Sequence, residues 1–285
     1  MPAKNTKGKP AWKKLLWVKQ PYPDNYVDKS FLSQLQRNSN VGTYNFWTVV
    51  SDTTVLLGNA ALTLFFCGSF VAIYELKWDP KYFALGSSLL SFGLAMLYGY
   101  HIQDTTVFFT SVKSAILILF AVLSLTPIFT SLTRSTSSDS IWSISAWLCA
   151  VNLAFSSRPL PESSSVLILS INIALCAAIV LASRLHTPEA VFWFMVFSIQ
   201  VYVLLPTVAR WLRRNSSRAY WALFSGLMVA SSGASYVLMG WPAVFLWWFT
   251  ALAIVIGVPG LFLALQKYKD QIKGPWDPAR PIMTS

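Results

Sequence analysis

The chain has 285 residues, of which 55% are hydrophobic and only 12% charged, and a formal net charge of +11 at pH 7. So few charges do not solvate one or two soluble domains of that length, so the chain reads as an integral membrane protein. The three cysteines lie in apolar stretches without metal-ligand spacing or a loop partner for a disulfide, and read as small packing residues.

In chain order, the N-terminus MPAKNTKGKPAWKKLLWVKQ is basic and lacks the apolar core of a cleavable signal peptide, so the first span is expected to act as the targeting signal. Within it, WKKLLW at 12–17 pairs tryptophans with lysines, as in a segment lying in the membrane interface. Next comes QPYPDNYVDKSFLSQL at 20–35. Pro21 and Pro23 remove two backbone donors and disfavour helix before them, while Asp24-Asn25 is a turn-forming pair. An extended arm ending in a turn is expected, with Asp28 or Ser30 capping a short helix from about 29 to 38 that carries Phe31, Leu32 and Leu35 on one face.

Eight apolar runs follow, at about 54–74, 82–100, 114–132, 140–156, 164–182, 190–209, 219–239 and 243–265, none with Asp, Glu, Lys, Arg or His. Their continuous apolar character favours helices, which satisfy their own backbone in hydrocarbon, over the alternating strands of a barrel. The fourth run is the weakest, being short and holding four serines and Asn152. The expected fold is an all-α polytopic bundle of about eight transmembrane helices: an N-terminal arm at 1–53, the bundle at 54–265 and a tail at 266–285. Eight spans would put 18 of the 22 lysines and arginines on the side of the termini, so both termini are expected in the cytoplasm. That asymmetry accounts for the net charge without nucleic acid; the cluster RWLRRNSSR at 210–218 would lie against anionic headgroups. The sequon Asn215-Ser216-Ser217 falls on the same side, where it would not be used.

Catalytic signals are sparse. Glu75, Asp79, Asp139 and Glu189 are single acids in different loops, interleaved with Lys77 and Lys81. They read as solvated residues or helix caps, or else as the carboxylates of a lumen-facing glycosyltransferase built on Glu75 and Asp79. His101 and His186 fall on opposite membrane faces, so a metal centre is not expected, and there is no phosphate loop or nucleophile elbow; no cofactor is expected. An ion-coupled carrier would place ionisable groups in its spans. Pro127, Pro206 and Pro259, with Asn59, Asn152, Asn172 and Gln200, leave open helix breaks or a groove, as in a lipid transporter or scramblase, beside plain interhelical hydrogen bonding. Small-residue stretches such as FSGLMVASSGAS at 224–235 suit close helix packing or assembly.

The run WKKLLWVKQPYPDNYVDKSFL resembles the N-terminal signature of the PIG-C family, subunits of the GPI N-acetylglucosaminyltransferase. SSDSIW at 137–142, LSINIALCAAIVLASRL at 169–185, FSIQVYVLLP at 197–206 and IKGPWDPA at 272–279 match in order. The resemblance implies a multi-pass subunit in the endoplasmic reticulum membrane. Its complex would transfer N-acetylglucosamine from UDP-N-acetylglucosamine to phosphatidylinositol on the cytoplasmic leaflet. It also implies a separate PIG-A-like catalytic subunit, and PIG-H, PIG-P and PIG-Q as further partners. No catalytic residue is carried over. Pro21, Tyr22, Pro23, Asp24, Asn25, Tyr26 and Asp28 in the arm are the expected partner or headgroup contacts, with Gly274, Pro275, Trp276 and Asp277 in the tail.

Overall fold

The computed structural model describes residues 12–13, 15, 17–23, 25–26, 36–37, 44–102, 105–132, 136–156, 165–269 and 272–273. Among them, eight long helical stretches follow the eight apolar runs in order. They are α1 (Phe46–Tyr74), α2 (Pro80–Ile102), α3 (Thr105–Ser131), α4 (Ser138–Ser156) and α5 (Ser165–Ala182). A sixth stretch joins α6 (Pro188–Ile199) to α7 (Leu205–Asn215), α8 (Ser217–Met239) is the seventh, and the eighth joins α9 (Trp241–Leu252) to α10 (Val258–Gln266). Among the described residues, six of the eight are long and apolar enough to cross a membrane. The chain is thus an all-α polytopic membrane protein.

Residues 46–260 form one compact unit. Its centre is α1, where Phe66 and Phe70 are fully buried. Both rings lie 5.4 Å from that of Phe194 in α6, and Phe65 meets Phe197 edge-on at 5.8 Å. In lipid, burying apolar surface does not by itself drive helices together, so such a core rests on close packing and on hydrogen bonds. The buried alanines 174, 177, 178 and 182 of α5 serve the first. The amides serve the second: Asn152 Nδ2 donates to the carbonyl and hydroxyl of Ser170 at 2.8 and 3.0 Å. Asn59 Nδ2 donates to the Ser156 carbonyl at 3.0 Å, and Gln200 Nε2 to Ser88 Oγ at 2.7 Å. Asn172 is exposed.

Two prolines act differently from a helix break. Pro206 and Pro259 each follow a five-residue π-helical segment, Gln200–Leu204 and Ala253–Gly257. A proline ring clashes with the carbonyl four residues earlier, and widening the preceding turn relieves it while the helix continues. The Leu205 amide accordingly donates to the Gln200 carbonyl, and that of Val258 to Ala253.

The second unit gathers 1–45 and 261–285. Within it β1 (Gln36–Arg37) and β2 (Ile272–Lys273) pair antiparallel, Gln36 opposite Lys273 and Arg37 opposite Ile272. This corrects the expected helix from 29 to 38 at its C-terminal end: residues 36–37 take a strand because the chain at 272–273 supplies their ladder. The remainder of that expected helix, save these two positions, lies outside the described residues.

Candidate functional site

The arm forms the expected turn: the Tyr26 amide donates to the Pro23 carbonyl at 2.9 Å. The Tyr22 and Tyr26 rings lie 4.3 Å apart and Trp12 lies 6.4 Å from Tyr26. Gln20 clamps the preceding chain, accepting from the Lys13 amide at 2.8 Å and donating to the Lys13 carbonyl at 2.6 Å. Pro21 and Asn25 are exposed beside this cluster. Asp24, Asp28, Gly274, Pro275, Trp276 and Asp277 lie outside the described residues.

At the end of the 46–260 unit where α1 finishes, the acidic residues have structural partners. Asp79 Oδ1 accepts from the Lys81 amide at 2.9 Å, capping α2. Glu189 pairs with Lys81 Nζ at 2.7 Å, and Asp139 sits in the first turn of α4, where a carboxylate complements the helix dipole. Glu75 is exposed. His186 stacks on Tyr74 at 6.4 Å. No cluster of three metal-ligating side chains exists among the described residues.

The opposite end of the same unit holds a cavity of about 820 Å³ between α1, α4, α5, α7 and α8. It is lined near the start of α1 by Asp52, Arg210, Arg213, Arg214 and Tyr220, further along by Leu223, Asn59, Asn152 and Ser170, and beyond these by Leu62, Tyr202 and Leu227. The arginines reach it because Pro206, Arg210 and Arg213 recur at helical spacing on one face of α7. Arg213 is fixed from three directions. Its Nη2 donates to Asp52 Oδ1 at 2.8 Å and to the Ser51 carbonyl at 3.1 Å. Its guanidinium carbon lies 6.0 Å from the centre of the Tyr220 ring. Tyr220 is held in turn by a 3.0 Å hydrogen bond between its hydroxyl and that of Thr54. Just past these residues the sequon is spent on helix ends: Asn215 Nδ2 donates to the Trp211 carbonyl and Ser216 Oγ caps α8.

Among the described residues, three arginines and Asp52 line one end of the cavity, and leucines with Tyr202 line the other. Sequence reasoning finds the arginines but places them against bulk headgroups. It does not assemble the cavity because Asp52 and Arg213 are 161 residues apart; the local signals are the i, i+3, i+4 arginine spacing and Pro206, Asn59 and Asn152, for which a groove is left open in the sequence and which do line the cavity.

Comparison with known proteins gives a consistent picture. The family model GPI2, described as phosphatidylinositol N-acetylglucosaminyltransferase, matches residues 12–277. The chain is 32% identical to the phosphatidylinositol N-acetylglucosaminyltransferase GPI2 subunit of Schizosaccharomyces pombe, over 96% of this chain and 87% of the relative. It is 30% identical to the GPI2 subunit of Saccharomyces cerevisiae, over 95% and 98%. It is 29% identical to a human phosphatidylinositol N-acetylglucosaminyltransferase subunit, over 98% and 95%. No solved structure matches.

Proposed function

The chain belongs to the GPI2 family of phosphatidylinositol N-acetylglucosaminyltransferase, and from that premise we propose a noncatalytic membrane subunit on which the transferase assembles and which presents its lipid acceptor. The observation that carries this reading is the continuous match over 12–277, which takes in the arm, the eight helical stretches and the start of the tail. The engagement of Asp79 and Glu189 in a cap and an ion pair agrees with a catalytic centre carried by another subunit.

All eight stretches cross the endoplasmic reticulum membrane in this account, with both termini in the cytoplasm. Support comes from the 18 of 22 basic residues that this topology puts on the side of the termini. The arm at 1–53 and the tail at 266–285 flank the bundle and form the docking element for a PIG-A-like catalytic subunit, PIG-H, PIG-P and PIG-Q. The antiparallel pairing of 36–37 with 272–273 favours one joint element, because it ties the chain that follows Pro21–Asp28 to the chain that precedes Gly274–Asp277. The test is transfer of labelled N-acetylglucosamine from UDP-N-acetylglucosamine to phosphatidylinositol in microsomes depleted of this chain and then restored with it. Loss and rescue are expected. Undiminished transfer after depletion would overturn the assignment.

A further inference from the structure

We propose that the exposed face of α5 around Asn172 is a helix–helix interface within the bilayer. Its occupant is a transmembrane helix of another subunit of the transferase, one that bears an amide or hydroxyl side chain between small residues. The inference goes beyond the proposed function and rests on its subunit reading. The first observation is an unpaired amide. Of the four amides in the apolar runs, Asn59, Asn152 and Gln200 each donate to a neighbouring helix. Asn172 is exposed and makes no hydrogen bond with any described residue. Exposed hydroxyls elsewhere in the spans need no partner, because Ser124, Ser225 and Thr250 each donate to a carbonyl of their own helix three or four residues back. Asn172 does not, and its side chain carries two N–H protons and an acceptor oxygen.

The second observation is depth. Asn172 lies about 10 Å along α5 from Ser165 and about 15 Å from Ala182. α5 is the most apolar of the six membrane-length helices, so with that helix across the ~30 Å hydrocarbon core Asn172 stands near its middle. The side chain is too short to reach either interface as a lysine would, and lipid tails offer it neither donor nor acceptor. An unpaired amide is costly there, which is why such side chains join membrane helices. The face has a helix-docking layout. Ile168, Leu169, Asn172 and Cys176 recur at helical spacing and are exposed, while Ser170, Ala174, Ala177, Ala178 and Leu181 on the other side are buried in the bundle. Pairing with a second copy is the poorer fit. Around a two-fold axis the bulky Ile168 and Leu169 would meet their own counterparts, which holds the backbones apart and leaves two short amides out of reach. The small residues therefore come from the partner.

The test places a photoactivatable diazirine amino acid at Leu169 or Cys176, leaving Asn172 in place, in the full chain assembled with its partners in microsomes. Illumination is expected to join both positions to one other subunit. N172L should cut that crosslink about three- to tenfold, the loss of one polar contact between membrane helices, and N172Q should recover most of it. The labelling of a diazirine at Leu117, on the exposed face of α3, should not respond to N172L. The unfolding temperature of the chain should also hold, because Asn172 bonds to no described residue within it. A product joining two copies of this chain would overturn the proposal in favour of self-association. Lipid adducts alone at 169 and 176, or a crosslink that N172L leaves unchanged, would overturn it as well. Partner recovery by the wild-type chain, read on the same samples, separates two failures: subunits recovered without a crosslink at this face sink the site alone, and no subunits recovered sinks the subunit reading with it.

Discussion

Gly68 of α1 meets Ala234 of α8 with no room for a side chain: a methyl group on Gly68 would lie 2.5 Å from the Ala234 Cβ and 2.9 Å from its Cα. Because the obstacle is partly backbone, G68A must push the two helices apart. Overpacking of this kind costs about 1–3 kcal/mol. Unfolding of the purified protein in mixed micelles should show that loss for G68A and none for G86A, since nothing lies within 4 Å of a methyl at Gly86. Equal stability of the two variants would contradict the packing described.

The Asn152–Ser170 contact between α4 and α5 is the most fully hydrogen-bonded amide pairing in the apolar part of the bundle among the described residues. A double-mutant cycle with N152A and S170A isolates the side-chain part, because the Ser170 carbonyl survives substitution. Polar contacts between membrane helices couple by about 0.6 kcal/mol on average and up to about 1.7. A coupling indistinguishable from zero would mean the two side chains do not meet.

At the arginine-lined end of the cavity the partners are unequal. Asp52 is 70% exposed and Arg213 33% exposed, so solvent screens their ion pair to within about 1 kcal/mol. D52N should therefore change stability by no more than that. R213A should cost more, because it also abandons the Ser51 carbonyl and the Tyr220 ring. R213K keeps the charge without the planar fork and should recover only part of the loss.

The two acids that leave a catalytic reading open in the sequence give a clean contrast. With Asp79 capping α2 and Glu75 exposed, an E75A and D79A double variant should lose about 1 kcal/mol from the missing cap. Restored microsomes should keep full transfer at equal protein abundance. An inactive but abundant variant would return the chemistry to this chain.

For the docking element, replacing Asp24, Asn25 and Asp28 by alanine should lower recovery of the partner subunits several-fold while membrane insertion is unaffected. Unchanged recovery would remove the arm from the interface.

The sequence carries the helices and little of what joins them. Eight uncharged runs give eight helical stretches because a helix in lipid needs only length and apolar content. Sequence places the start of α1 eight positions late, at 54 instead of Phe46, since Asp52 ends the uncharged run. Its carboxylate is tolerated by Arg213, which no local window contains. The strand at 36–37 reads as helix for the same reason, its partner being at 272–273. Pro206 is visible as a perturbation, but whether a helix breaks or widens depends on the packing around it, here the Tyr202–Phe66 contact and the Gln200–Ser88 hydrogen bond. The cavity is half legible: Asn59, Asn152 and Pro206 stand out in the sequence as residues that leave a groove open, but the helices that bring them together do not, because its walls come from five helices.

The most direct measurement is transfer of labelled N-acetylglucosamine to phosphatidylinositol by microsomes depleted of this chain and then restored with it, with recovery of the partner subunits followed in the same samples. Loss of transfer and of partner recovery on depletion, and return of both on restoration, is the predicted result. Undiminished transfer after depletion would contradict it.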